Sequence, residues 1–188
     1  MVWVYFDEQT DAAIRELWWL ERSDRVVAII GGAILDARLR RALEDRFRAK
    51  DGKTDMNEKI FKVGGPLGYL GPKIDISYQL HMLDKPHRNA MYGISEIRNL
   101  FAHQLDMSFD AENSKLTDAA AKLTLHHGET HYSIKDPDNP EWSKIEQINT
   151  NKDLFLVNLK MCLISLYKDT DKHLINTNIP VDYIKHEP

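Results

Sequence analysis

The sequence predicts a mainly α protein: a single helical bundle with a small appended β-hairpin. Apolar residues recur at three- and four-residue spacing through most long segments, whereas one pair of short segments alternates with period two. At 188 residues, 43% of them hydrophobic and 29% charged, the chain is long enough for one well-buried core and too short for two roomy ones. The expected division is one helical domain over 1–176, with the hairpin at about 123–134, and an irregular tail over 177–188.

Residues 8–21 read as a first helix, with Ile14, Leu17 and Trp18 on one side and Trp18-Trp19 as a large apolar anchor. Ser23 restarts the chain as an N-cap, and Asp24 suits the positive end of a helix. From Val26 the run VVAIIGGAIL is apolar on every side, after which Leu39, Leu43 and Phe47 recur at four-residue spacing. Such a helix belongs in the middle of a bundle. Gly31-Gly32 within it costs about 1 kcal/mol per glycine relative to alanine, and close crossing of another helix is the expected compensation.

Residues 50–72 hold Gly52, Gly64, Gly65, Pro66, Gly68, Gly71 and Pro72. No Gly-Lys-Ser/Thr ending follows, and no dinucleotide-type spacing, so the segment is expected to be a turn-rich connector rather than a phosphate cradle. Ile74, Ile76, Tyr78, Leu80 and Leu83 fit a short helix, although their partial alternation also fits a strand, and Pro86 is expected to end it. Residues 87–105 form the next helix, with Met91, Ile94, Ile97, Leu100, Phe101 and Leu105 on its core side. A short helix over 111–121 follows. Residues 123–126 and 130–134 alternate on either side of His127-Gly128-Glu129, which is the expected hairpin. After a polar loop with Pro137 and Pro140, residues 152–169 read as the last helix.

Composition excludes several function classes. Cys162 is the only cysteine, so one copy can build neither a disulfide framework nor a cysteine-ligated zinc site, and its apolar helix predicts an inert thiol. Met1 to Phe6 is apolar but lacks a basic flank and runs into Asp7-Glu8, unlike a secretory signal, so a cytoplasmic protein is expected. The uncharged stretch from Val26 to Leu35 is roughly half the length a membrane-spanning helix needs, and no membrane partner is expected. The net charge of −4, from 25 basic and 29 acidic side chains, gives no global pull toward nucleic acid. Arg38, Arg40, Arg41, Arg46, Arg48, Lys50 and Lys53 are interrupted by Glu44, Asp45 and Asp51, the pattern of a mixed-charge solvated face. His126, His127 and His131 with Glu129 could suggest a metal site, but His127 and His131 flank the turn and His126 points opposite to its neighbour on alternating strands, so a three-ligand cage is not expected. No metal or other cofactor is expected.

The most informative segment runs from Arg98 to His103. On a helical wheel Ile94, Ile97, Leu100, Phe101 and Leu105 share one arc, while Glu96, Asn99 and His103, at i, i+3 and i+7, share the opposite one with Arg98 at its edge. These groups can hold a phosphodiester. Arg98 would pair with the non-bridging oxygens, Asn99 would orient the ribose or the helix, and Glu96 would lend support. His103 would move a proton, because an imidazole exchanges one near neutrality, and the 2′-hydroxyl of RNA can act as nucleophile without a metal. The plainer reading is a solvated helix face that anchors a neighbouring loop.

Ser23-Asp24-Arg25 leading into an apolar helix with Leu35-Asp36, then Gly65-Pro66-Leu67-Gly68 with Lys73-Ile74-Asp75, then Ile97 to His103 and finally Ser108-Phe109-Asp110, resembles the mannitol-repressor (MltR-like) family over roughly residues 20–123. That resemblance implies an all-helical bundle that represses mannitol-operon expression without a DNA-reading helix of its own, and since the basic cluster of this sequence is interrupted by acids, a dimeric transcriptional regulator acting through a protein partner is expected. The segment from Arg98 to His103 also resembles the motif of HEPN domains, in which an arginine, the next polar residue and a histidine four positions further form a metal-independent RNase centre across a homodimer. Arg98, Asn99 and His103 match those three roles, and this second resemblance implies RNA as partner.

Overall fold

The computed structural model describes residues 17, 23–47, 54–126, 131–135 and 143–170, and its body is built from helices around one long central element, α1 (Asp24–Arg46). The Ser23 side chain caps α1 by accepting from the Val26 amide at 3.4 Å. Val27, Ala28, Leu35, Leu39 and Leu43 of α1 are fully buried, and α1 packs on α4 (Lys85–His103) and α6 (Asn151–Thr170). The expected close crossing at the glycine pair is present, and it involves two helices. A Cβ at Gly31 would lie 2.8 Å from Phe155 and 3.0 Å from Leu159 of α6, whereas one at Gly32 would lie 2.6 Å from Cγ of Arg98 on α4. The run from Val26 is nevertheless not buried all round, since Val26 and Ile30 sit on a side of α1 that faces solvent.

A row of aromatic rings joins the layers. Phe101 of α4 packs on Phe109 at 4.8 Å between centroids, and Phe109 on Phe155 of α6 at 5.6 Å. The backbone of Phe109 is held from both sides: its amide donates to Asp24 at 3.0 Å, and its carbonyl accepts from the Asn151 side chain at 3.0 Å. Asp24 also pairs with Lys152 at 3.2 Å.

Several elements differ from the sequence expectation. The connector contains a helix, α2 (Thr54–Phe61), and the loop after it closes so tightly that Cβ atoms at Gly65 and Gly68 would strike the carbonyls of Lys59, Ile60 and Lys62. Helix α3 (Leu70–Gln79) carries Pro72 in its first turn, and Pro86 starts α4 rather than ending α3, because a proline needs no amide partner there. Helix α4 stops at His103. Gln104 turns extended, at φ −116° and ψ 116°, so Leu105 leaves the helical arc and is 89% exposed instead of joining the core.

The β-hairpin expected over 123–134 is not supported. After α5 (Ser114–Ala120) the chain turns, and residues 121–126 run irregularly with Leu123 and Leu125 buried. The Leu125 amide donates to the fully buried Asn158 of α6 at 2.8 Å, and the Asn158 amide donates onward to the Leu154 carbonyl at 2.9 Å. Alternation in 123–126 therefore reflects an irregular segment laid on a helix, which buries every second side chain as a strand does. His131–Lys135 (β1) runs antiparallel to Ser143–Gln147 (β2), with His131 opposite Gln147. The helix expected over 8–21, except for the buried Leu17, lies outside the described residues, as do the turn at 127–129 and the tail. Among the described residues no helix is long and apolar enough to cross a membrane.

Lys73 of α3 is only 1% exposed, and its ammonium reaches Asp36 of α1 at 2.7 Å, where the carboxylate side chain is 39% exposed. The two partners are unequal: removing the carboxylate strands a buried cation, while removing the cation leaves a carboxylate that water can solvate. Asp36→Asn is expected to cost about 3 kcal/mol in urea denaturation, and Lys73→Met less than about 1 kcal/mol.

Candidate functional site

Helix α4 is fixed at both ends. The Asp84 side chain caps its start, accepting from the His87 amide at 2.9 Å, with Pro86 in the first turn. At the other end the guanidinium of Arg25, one residue into α1, donates to the carbonyls of Phe101, of Gln104 at 2.7 Å and of Leu105 at 2.6 Å. A cation at the negative end of a helix, bonded to carbonyls that have no partner within it, is a C-cap supplied from another element. It fixes where α4 ends, and hence where His103 stands.

The core arc of α4 is as expected for Ile94, Ile97 and Phe101, which are fully buried, while Leu100 is partly buried. Arg98, Asn99 and His103 are all exposed. Nη1 of Arg98 donates to Oδ1 of Asn99 at 3.0 Å. That bond has a chemical consequence: it engages one lone pair of the amide oxygen and leaves the Asn99 NH₂ beside the remaining guanidinium N–H groups. Arg98 and Asn99 together then present a donor-rich surface, which suits a ligand rich in acceptors, such as phosphate or carboxylate oxygens.

Glu96 does not join this group. Its carboxylate is held by Lys122, just beyond α5, at 2.5 and 2.6 Å, so its charge is matched within the scaffold. The wheel angle placed Glu96 beside Asn99 and His103, but only the packing of α5 against α4 shows that a lysine takes it.

Three residues that govern this face were not legible as part of it. Arg25 and Lys122 act from distant parts of the chain, and although Arg25 lies in a quoted segment, nothing local says that it reaches the end of α4. Gly32 carried a signal, the paired glycines, which predicted a close crossing without saying that the crossing side chain is Arg98.

Elsewhere several charged groups pair within the scaffold. Arg40 pairs with Glu44 at 2.8 Å and Arg41 with Asp45 at 3.8 Å, consistent with a mixed-charge solvated face on α1. Burial, with a smaller contribution from the charge of Asp84, pushes the Cys162 thiol well above its ordinary pKa, so it is a core residue and not a nucleophile. Among the described residues no cluster of three histidine, cysteine or acidic side chains is arranged to hold a metal ion. His127 and Glu129 lie outside those residues. Arg88 of α4 reaches Asp75 of α3 at 2.9 Å and lies 5.1 Å from the ring centre of Tyr78 and 5.3 Å from that of Tyr92, tying α3 to α4.

No protein-family model, curated protein or solved structure matches the chain. The likenesses described above rest on the quoted segments alone.

The hydrogen bond from Arg88, followed by that from Tyr92, holds the Asp75 carboxyl below the ordinary 3.8. A depressed carboxylate pKa stabilises the folded state above the unfolded-state value, and the contribution is lost as pH falls through the folded one. NMR titration is expected to place Asp75 below 3.8 in the native chain and to return it toward 3.8 in Arg88→Met.

Proposed function

We propose that this chain is a cytoplasmic, homodimeric regulator of the mannitol-repressor type, which acts through a protein partner rather than by reading DNA. The observation that carries this reading is how the shared segments divide. Ser23, Asp24, Arg25, Asp36, Lys73 and Asp75 are absorbed into caps and ion pairs, and Gly65 and Gly68 into loop closure. Arg98, Asn99 and His103 remain outward, on an exposed face with donors to offer. Such a face fits an acidic partner surface. The arginines of α1 that pair with its own acids leave no basic recognition helix among the described residues, which supports indirect regulation.

A second reading is supported by the exposure of His103 at the end of α4. In a HEPN-type ribonuclease the same face would hold a phosphodiester. The 2′-oxygen would bond to phosphorus as the bond to the 5′-oxygen breaks, with His103 moving the proton and Arg98 matching the charge on the phosphoryl oxygens.

Single-stranded RNA incubated with the full chain in the absence of divalent metal separates the two. The regulator reading expects intact RNA with both native chain and His103→Ala, a dimer mass in light scattering, and no sequence-specific shift of operator-length DNA. Cleavage by the native chain that is lost in a folded His103→Ala would replace it with the ribonuclease reading. Tight, sequence-specific DNA binding by the isolated chain would overturn the partner-mediated form.

A further inference from the structure

Arg98 is exposed at its head and confined at its root. An added Cβ at Gly32 would stand 2.6 Å from Cγ of Arg98, 2.9 Å from its Cβ and 3.6 Å from its Cδ. These are not the far atoms of a mobile side chain: the Cβ is fixed by the backbone of α4, and the Cγ moves only by changing χ1. The stem of Arg98 therefore lies against the bare backbone of α1 before its guanidinium meets Asn99 at 3.0 Å. Two turns earlier on the same side of α1, Arg25 grips the end of α4. Helix α1 thus sets the approach to α4 at both Arg98 and the turn that carries His103.

We infer that Gly32 is a positioning residue for Arg98: the absent side chain at 32 lets the arginine stem rest on α1 and delivers its guanidinium to Asn99 in an orientation suited to an oxyanion. The inference rests on the functional reading only in treating Arg98 as a working group. Gly31 supplies an internal control, because its missing side chain makes room for Phe155 and Leu159 of the core instead.

The test follows the Arg98 Nε–H and Asn99 side-chain NH₂ signals by NMR in the full chain. Gly32→Ala is expected to shift both, while Gly31→Ala lowers stability and leaves both in place; unmoved Arg98 and Asn99 signals in folded Gly32→Ala would overturn the inference. A double-mutant cycle reads the same point through stability. Gly32→Ala is expected to lower the thermal midpoint by about 3–8 °C in the native background and by a smaller amount beside Arg98→Ala, since shortening the stem removes the 2.6 Å clash with Cγ and leaves only the 2.9 Å contact with Cβ. Additive losses would show that the glycine serves only backbone approach and would refute the inference. If Gly32→Ala does not fold, the double variant with Arg98→Gly, which removes the Cβ contact as well, decides: compared with Arg98→Gly alone, a folded double variant supports the inference and an unfolded one refutes it. Inorganic phosphate added to the same samples tests the face separately: a saturable shift at Arg98 that weakens about tenfold in Gly32→Ala supports the oxyanion orientation. A native chain that does not respond removes that orientation while the cycle still decides the positioning role.

Discussion

The distance between α1 and its two neighbours is the constraint on which the rest depends. Two adjacent residues without side chains let α1 approach α6 on one side and α4 on the other, because successive positions on a helix point about 100° apart. Phe155 and Leu159 fill the space at Gly31, so the hydrophobic core closes there. The stem of Arg98 fills the space at Gly32, so the same approach shapes the exposed face. A glycine pair that is unfavourable for an isolated helix becomes favourable once two close contacts depend on it.

Charged groups near α1 hold elements together over long sequence separations. Arg25 caps α4, Asp24 holds the amide of Phe109 and the ammonium of Lys152, and Asp36 meets the buried Lys73. Each leaves one helix and ends on another part of the chain. Their geometry positions the helices more than it adds stability, since a buried cation repays its loss of water only when its partner is well placed. The exposed face of α4 is what remains when these pairings are complete. Glu96 would have belonged to it on helical spacing, but Lys122 draws it into the scaffold.

Arg98 and Asn99 extend this logic to chemistry. With its oxygen bonded to the neighbouring guanidinium, the asparagine turns its NH₂ beside further N–H donors, and the donor-rich pair suits oxygen-rich anionic groups. An acidic protein surface and a phosphodiester both satisfy that requirement, which is why regulator and ribonuclease readings converge on one face and diverge on whether His103 transfers a proton.

Local pattern by itself determined the mainly helical class, the start of α1 at Ser23, the buried arc of Ile94, Ile97 and Phe101, and the outward placement of Arg98, Asn99 and His103. Those features follow from 3.6-residue periodicity and capping chemistry, both written within a few consecutive residues. It did not determine where α4 stops, because the cap is Arg25, 76 residues before Phe101. Nor did it separate a strand from an irregular segment at 123–126, since burial of alternate side chains looks the same until Asn158 of α6 is seen to hold the Leu125 amide. Only the tertiary structure decided those points, together with the loss of Glu96 to Lys122 and the seating of Arg98 on Gly32, because each depends on side chains brought together by packing between helices rather than by their order in the chain.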